Sequence, residues 1–239
     1  MQRFELDQTI SSCTVTKNLV RQLESYVTEK VAAVSGVARH QLQESLRIRI
    51  VEPRGTTVIK TIADYTHELL PDRTEKVSIE CDVYSPATLR VQIVFHKTSY
   101  RSRIMLDIEN DNAREIALSV DSGLRRVIAD FTNYHKVLHP PTPVAGLLWA
   151  VWYTAGLLNF IPMLSKESSL ARVIPSVTMP VWILLALCWV SSRLFPYTAF
   201  DSKRYRSAKA VRNFILLGLA GFLLFGTIFV LLRRRLLGF

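Results

Sequence analysis

Apolar residues in the first half of the chain keep a helical rhythm and then an alternating one. Leu19, Val20, Leu23, Tyr26, Val27, Val31 and Val34 recur at helical spacing and Gly36 supplies a stop, which predicts a helix from about Thr16 to Ser35. Leu46, Ile48 and Ile50 then alternate with Arg47 and Arg49, Pro53-Arg54-Gly55 turns the chain, and Thr57 to Ile62 returns as a second strand. Three further runs alternate in the same way: Val77 to Val83, Leu89 to Phe95, and Ile104 to Ile108. With turns at Ser85-Pro86-Ala87 and Lys97-Thr98-Ser99-Tyr100, Ile79 falls opposite Ile93 and Ile93 opposite Ile104. Cys81, Val91 and Leu106 form the next row on the same face. A last helix starts at Asn112, with Glu115 three residues on as a capping box, and buries Ile116, Val120, Leu124, Val127, Ile128 and Phe131. The pattern predicts an antiparallel sheet covered by helices on one face.

The second half reads differently. Residues 144–164, 173–192 and 214–232 contain no charged side chain, and each run is close to the roughly 20 residues a helix needs to cross a bilayer. The expected fold class is therefore α+β: an N-terminal antiparallel sheet covered by helices on one face, followed by an all-α transmembrane region of three helices. The expected domains are an α+β binding or sensing domain over 1–138, a Pro-rich hinge over 139–143, and a membrane domain over 144–239.

Charge divides at the same boundary. Residues 1–140 hold 19 Lys+Arg and 18 Asp+Glu, and residues 141–239 hold 11 and 2, so the chain's net charge of +10 belongs almost wholly to the second part. Net charge thus gives no support to direct nucleic-acid binding by the first domain. Arg193, Lys203, Arg204, Arg206, Lys209 and Arg212 cluster in the connection from 193 to 213 against one acid, Asp201, which marks them as topology and lipid-interface residues facing the cytosol. The N-terminus has no apolar leader, so the expectation is a multi-pass membrane protein with its N-terminal domain in the cytosol. Cys13, Cys81 and Cys188 are odd in number and scattered, which argues against a disulfide framework.

Candidate sites are few. On the outer face of the sheet the register puts Asp82 opposite Arg90 and Arg90 opposite Asp107, either a solvated ion-pair lattice or a docking face for a partner. His135 and His139 have the i, i+4 spacing of a metal pair, but Pro140 follows His139 and no Glu or Cys stands near, so no metal is assigned. Gly146, Ala150 and Thr154 form a small-residue stripe, and Gly218 and Gly221 lighten the third run, all read as helix-packing positions. Glycine-rich phosphate loops, HExxH and GxSxG are absent, so no catalytic residue and no cofactor are assigned.

In domain order and in lacking a catalytic motif, the chain resembles the small membrane effectors of prokaryotic antiviral systems, such as those of retrons and cyclic-oligonucleotide signalling. That resemblance implies a non-enzymatic multi-pass protein of a bacterial inner membrane whose cytosolic domain binds a protein or nucleoprotein partner while its helices act on the bilayer. The expected partners are the lipid bilayer, a cytosolic protein or nucleoprotein, and further copies of the chain. Two other readings stand beside it: a passive anchor or scaffold subunit, and an enzyme meeting lipid headgroups through the 193–213 loop, where Tyr197 and Asp201 join the basic cluster.

Overall fold

Strand alternation builds a six-stranded sheet from β1 (Gln2–Thr9), β3 (Arg47–Glu52), β4 (Gly55–Ile59), β5 (Lys76–Val83), β6 (Leu89–His96) and β7 (Arg103–Asn110), in the order β1-β7-β6-β5-β3-β4. Every neighbouring pair is antiparallel. The computed structural model describes residues 2–84, 88–98, 101–135, 139, 146–147, 150, 154, 196–214 and 217–218. Ile79 faces Ile93 and Ile93 faces Ile104; Cys81, Val91 and Leu106 form the adjacent row, as the alternation requires. All six are buried.

Four helices lie on that apolar face: α1 (Lys17–Ser25), α2 (Ala32–Ser35), α3 (Arg39–Ser45) and α4 (Ala113–Ala129). The predicted first helix is realised as α1, a π-helical segment (Tyr26–Val31) and α2 in unbroken succession. Thr16 caps it by accepting from the Leu19 N–H at 3.0 Å, and Gly36 ends it at φ 73°, where a side chain would be strained. The capping box expected on α4 is not formed. Asn112 holds the N-cap position with no side-chain cap bond. Helix α3 has no periodic pattern in the sequence to announce it, because Leu42 is its one buried residue.

Two features tie distant parts together. β2 (Thr14–Val15) pairs in parallel with β8 (Ala199–Phe200), and Phe200 joins the core. Residues 203–214 continue as a helix.

The transmembrane region requires correction. Among the described residues no helix is long and apolar enough to cross a membrane. The longest named helix, α4, has 17 residues and carries Arg114, Glu115, Asp121, Arg125 and Arg126. The helical stretch 203–214 carries Lys203, Arg204, Arg206, Lys209 and Arg212, too dense a charge for hydrocarbon. The three-helix membrane part of the expected fold class is thereby overturned, and with it the inner-membrane localisation. The uncharged runs 144–164, 173–192 and 214–232 lie outside the described residues except at 146–147, 150, 154, 214 and 217–218.

Gly123 sits in the middle of α4, where alanine ordinarily stabilises a helix by about 1 kcal/mol. Here a Cβ would lie 1.8 Å from the Tyr26 hydroxyl oxygen and 2.3 Å from the ring carbon that bears it. Overcrowding of a packed site costs about 1–3 kcal/mol, so it outweighs the gain in propensity. Gly123→Ala should lower stability in urea titration, and the loss should shrink when Tyr26 is also truncated to alanine. A stabilised Gly123→Ala variant would show that the two helices are not packed this closely.

Candidate functional site

Burial of alternate residues on one side of a sheet sends the others to the opposite side, and here those others are mostly charged. Across the outer face the register aligns Glu5, Asp107, Arg90 and Asp82 in one row, and Asp7, Met105, Gln92, Glu80 and Arg47 in the next. Thr9, Arg103, Val94, Ser78, Arg49 and Val58 form a third row, and His96, Lys76, Val51 and Thr56 a fourth. Arg3 and Glu109 stand beyond the first row. Six cations (Arg3, Arg47, Arg49, Lys76, Arg90, Arg103) therefore meet six carboxylates (Glu5, Asp7, Glu80, Asp82, Asp107, Glu109), and the face has no net charge.

It is nevertheless polar in the electrical sense. Carboxylates predominate at the end holding Glu5, Asp107 and Asp82, whereas Arg103, Arg49 and Lys76 occupy the opposite end.

The three residues singled out from sequence are adjacent, with one change of partner. Arg90 Nε donates to Asp82 Oδ1 at 2.8 Å, and its Nη2 reaches the Tyr84 hydroxyl at 3.3 Å. Asp107 is taken by Arg3 of β1, whose Nε and Nη2 donate to its two oxygens at 2.9 and 2.8 Å. This fork-on-carboxylate geometry is the strongest form of the pairing and raises the Arg3 pKa, chiefly through the hydrogen bond to Asp107. Arg49 pairs with Glu80 at 3.2 Å and Arg103 with Asp7 at 3.4 Å. The Arg90–Asp82 and Arg103–Asp7 pairs are exposed on both sides and add little to stability, so they remain available for exchange with groups on another surface. Arg3, Glu5 and Asp7 escaped the sequence reading; the alternation Arg3-Phe4-Glu5-Leu6-Asp7 was the signal that marked their strand.

The 193–213 connection is packed onto the domain. Among its described residues, the Ala199 N–H donates to the Cys13 carbonyl at 3.0 Å, the Asp201 N–H to the Val15 carbonyl at 2.9 Å and the Leu70 N–H to the Asp201 carbonyl at 3.0 Å. Tyr197 Oη donates to the Ile10 carbonyl at 3.2 Å, and both Tyr197 and Thr198 are buried. Arg206 grips Asp201 through Nε and Nη2, each at 2.8 Å. Lys203, Arg204 and Lys209 are exposed on the helix that follows, Arg212 is buried, and Arg193 lies outside the described residues. Tyr197 and Asp201 thus hold the fold together, and the lipid-headgroup enzyme reading falls with the membrane region it needed.

His135 Nδ1 donates to the Pro196 carbonyl at 2.9 Å, and the His139 ring meets Tyr197 edge-on with centroids 5.7 Å apart. The two imidazoles therefore serve the junction where the chain leaves α4 and returns. No group of three metal-ligating side chains occurs among the described residues. Gly146, Ala150 and Thr154 are helical and exposed, and a Cβ on Gly146 or Gly218 would meet no atom within 4 Å; Gly221 lies outside the described residues. Burial pushes the Cys13 thiol up to about 12 and also raises Cys81, so neither is a ready nucleophile.

No protein-family model, no curated protein and no solved structure matches this chain. The readings as an antiviral membrane effector and as a membrane anchor rested on the transmembrane region, and nothing among known proteins restores them.

His135 carries a testable consequence. Burial, followed by the positive field of Arg212, His139 and Lys209, lowers its pKa against the raising effect of the Pro196 bond, and burial lowers His96 as well. Both groups take a proton more readily in the unfolded chain, near the ordinary imidazole value of about 6.5. The stability they contribute is complete above that value and is lost as pH falls through it towards the lowered folded values. Melting temperature should therefore drop on acidification from neutrality, and His135→Gln should flatten the drop. An undiminished dependence in that variant would remove His135 as its source.

Proposed function

We propose that this chain is a protein-binding module whose docking surface is the outer face of the six-stranded sheet, centred on Asp82, Arg90 and Asp107. The observation that carries the reading is the charge arrangement: equal numbers of cations and carboxylates, with carboxylates outnumbering cations at one end and Arg103, Arg49 and Lys76 standing in rows without acids at the other. A nucleic acid or other polyanion would gain at one end and be repelled at the other, and the face offers no counterion-releasing patch. A protein surface bearing both signs matches it in one orientation and is rejected in the reverse, because like charges would then be juxtaposed. Gln92 and Met105, between the charged ends, supply uncharged contact area.

A photo-crosslinking residue at Gln92 should form an adduct with a discrete protein in cells, whereas the same residue at the exposed Ser122 of α4 should not. Arg49→Glu with Arg103→Glu, which makes the basic end acidic, should weaken capture about tenfold or more while leaving the melting temperature within a few degrees. Adducts at Ser122 but not at Gln92, or capture indifferent to the charge reversal, would refute the reading.

A further inference from the structure

The backbone of β1 is half used. An antiparallel ladder alternates residue pairs that exchange both main-chain hydrogen bonds with pairs that exchange none. The Ile10 N–H donates to the Ser102 carbonyl at 2.9 Å, one step beyond the Thr9 and Arg103 pair, so the even-numbered residues of β1 turn their main-chain groups towards β7. Arg3, Glu5, Asp7 and Thr9 turn theirs to the open edge. Thr9 illustrates this: its carbonyl accepts from Arg125 Nη1 at 3.5 Å instead of from β7.

Sheet edges are normally blunted by short strands, proline, a bulge or charged side chains, lysine above all; the charges of β1, Arg3, Glu5 and Asp7, are of both signs and so repel only a partner that does not match them. The far edge, β4, has five residues and follows Pro53. In contrast, β1 holds eight consecutive pairs with β7 and contains no proline, lysine or bulge. Among the described residues no strand occupies its outer side.

We infer that β1 pairs with β1 of a second copy of this chain, antiparallel about a two-fold axis at Glu5. The sequence is complementary to itself in that register. Arg3 falls opposite Asp7 of the second copy twice over on the outer face, and on the inner face Phe4 falls opposite Leu6 twice over. Phe4 and Leu6 are both only partly buried within one chain, and Leu118 of α4 is 48% exposed. Asp7 is free to serve, since its bond to Arg103, at 3.4 Å, is the longest ion pair on the face. Arg3, Glu5 and Asp7 of both copies then form six main-chain hydrogen bonds, and Thr9, already engaged by Arg125, marks where pairing stops. Shifting the strands by two residues in one direction opposes Glu5 to Asp7; in the other, Arg3 meets Glu5 but Leu6 falls opposite Gln2 and Asp7 runs past the end of the strand at Gln2. The glutamate pair at the axis is the one mismatch, and each Glu5 is already met by its own Arg3 at 2.9 Å. The inference does not need the partner reading: it rests on main-chain geometry at the edge and on the Arg3 and Asp7 side chains at the margin of the charged face, whatever the rest of that face binds.

Sedimentation of the full chain tests it, with Glu5→Pro as the deciding variant. Proline removes an N–H that points away from β7, so the fold is kept while both hydrogen bonds at the axis are lost. The wild type should dimerise with concentration, and Glu5→Pro should do so roughly thirtyfold more weakly with an unchanged melting temperature. Should Glu5→Pro unfold, Asp7→Arg carries the test: it should weaken the dimer, and Arg3→Asp added to it should restore association. Register is read separately with Cys188 replaced by serine. Paired residues at the axis lie about 5.5 Å apart between Cα atoms, within disulfide reach, so Glu5→Cys should form an oxidised dimer and Asp7→Cys should not. A monomer at every concentration, Glu5→Pro dimerising like the wild type, or preferential cross-linking through Asp7→Cys would each overturn the inference.

Discussion

Ile79, Ile93 and Ile104 stand abreast on three adjacent strands, and the rest of the domain follows from holding them there. Side chains alternate along a strand, so a slip of one residue would carry every apolar side chain to the solvent and every charge into the core. Burial on one face is what forbids the slip. Once that register is set, Asp82, Arg90 and Asp107 must share the opposite face, and β1, added to β7 in the same phase, brings Arg3 to Asp107. Both the charged face and the half-used edge are consequences of one hydrophobic constraint.

The helices complete the core without touching that charged face. Leu19, Val20, Leu23, Val27 and Val31 come down from the first helical run, and Ile116, Val120, Leu124 and Ile128 from α4. A third contribution arrives from far along the chain, where Phe200 enters the core and the segment from Pro196 to Asp201 is bonded to residues around Ile10 to Val15. The last turn after α4 and the returning segment meet at His135 and Pro196.

How much of this could be read from residues alone depended on whether the signal was local. The rows of β5, β6 and β7 were legible because each strand is covered on one face and alternates cleanly. β1 was overlooked because an edge strand buries only Phe4 and Leu6, and partly, so its alternation is short. The pairing of Thr14–Val15 with Ala199–Phe200 involves two residues on each side, separated by most of the chain, and no local pattern announces it. Charge composition places the basic cluster from Lys203 to Arg212 in a connection but cannot distinguish a loop from an exposed helix face; what distinguishes them is the ladder that precedes it. At the candidate site the register placed Arg90 between two acids correctly. It could not reveal that Arg3 had claimed one of them, since that depends on the unrecognised strand.

Amide hydrogen exchange resolved to single residues tests the governing register most directly. At low protein concentration Phe4, Leu6 and Gln8 should exchange slowly, being bonded to β7, while Arg3, Glu5 and Asp7 exchange fast, and the interior of β5 to β7 should be slow throughout. Uniform exchange along β1, or protection of Arg3, Glu5 and Asp7 in place of Phe4, Leu6 and Gln8, would contradict the register and everything derived from it.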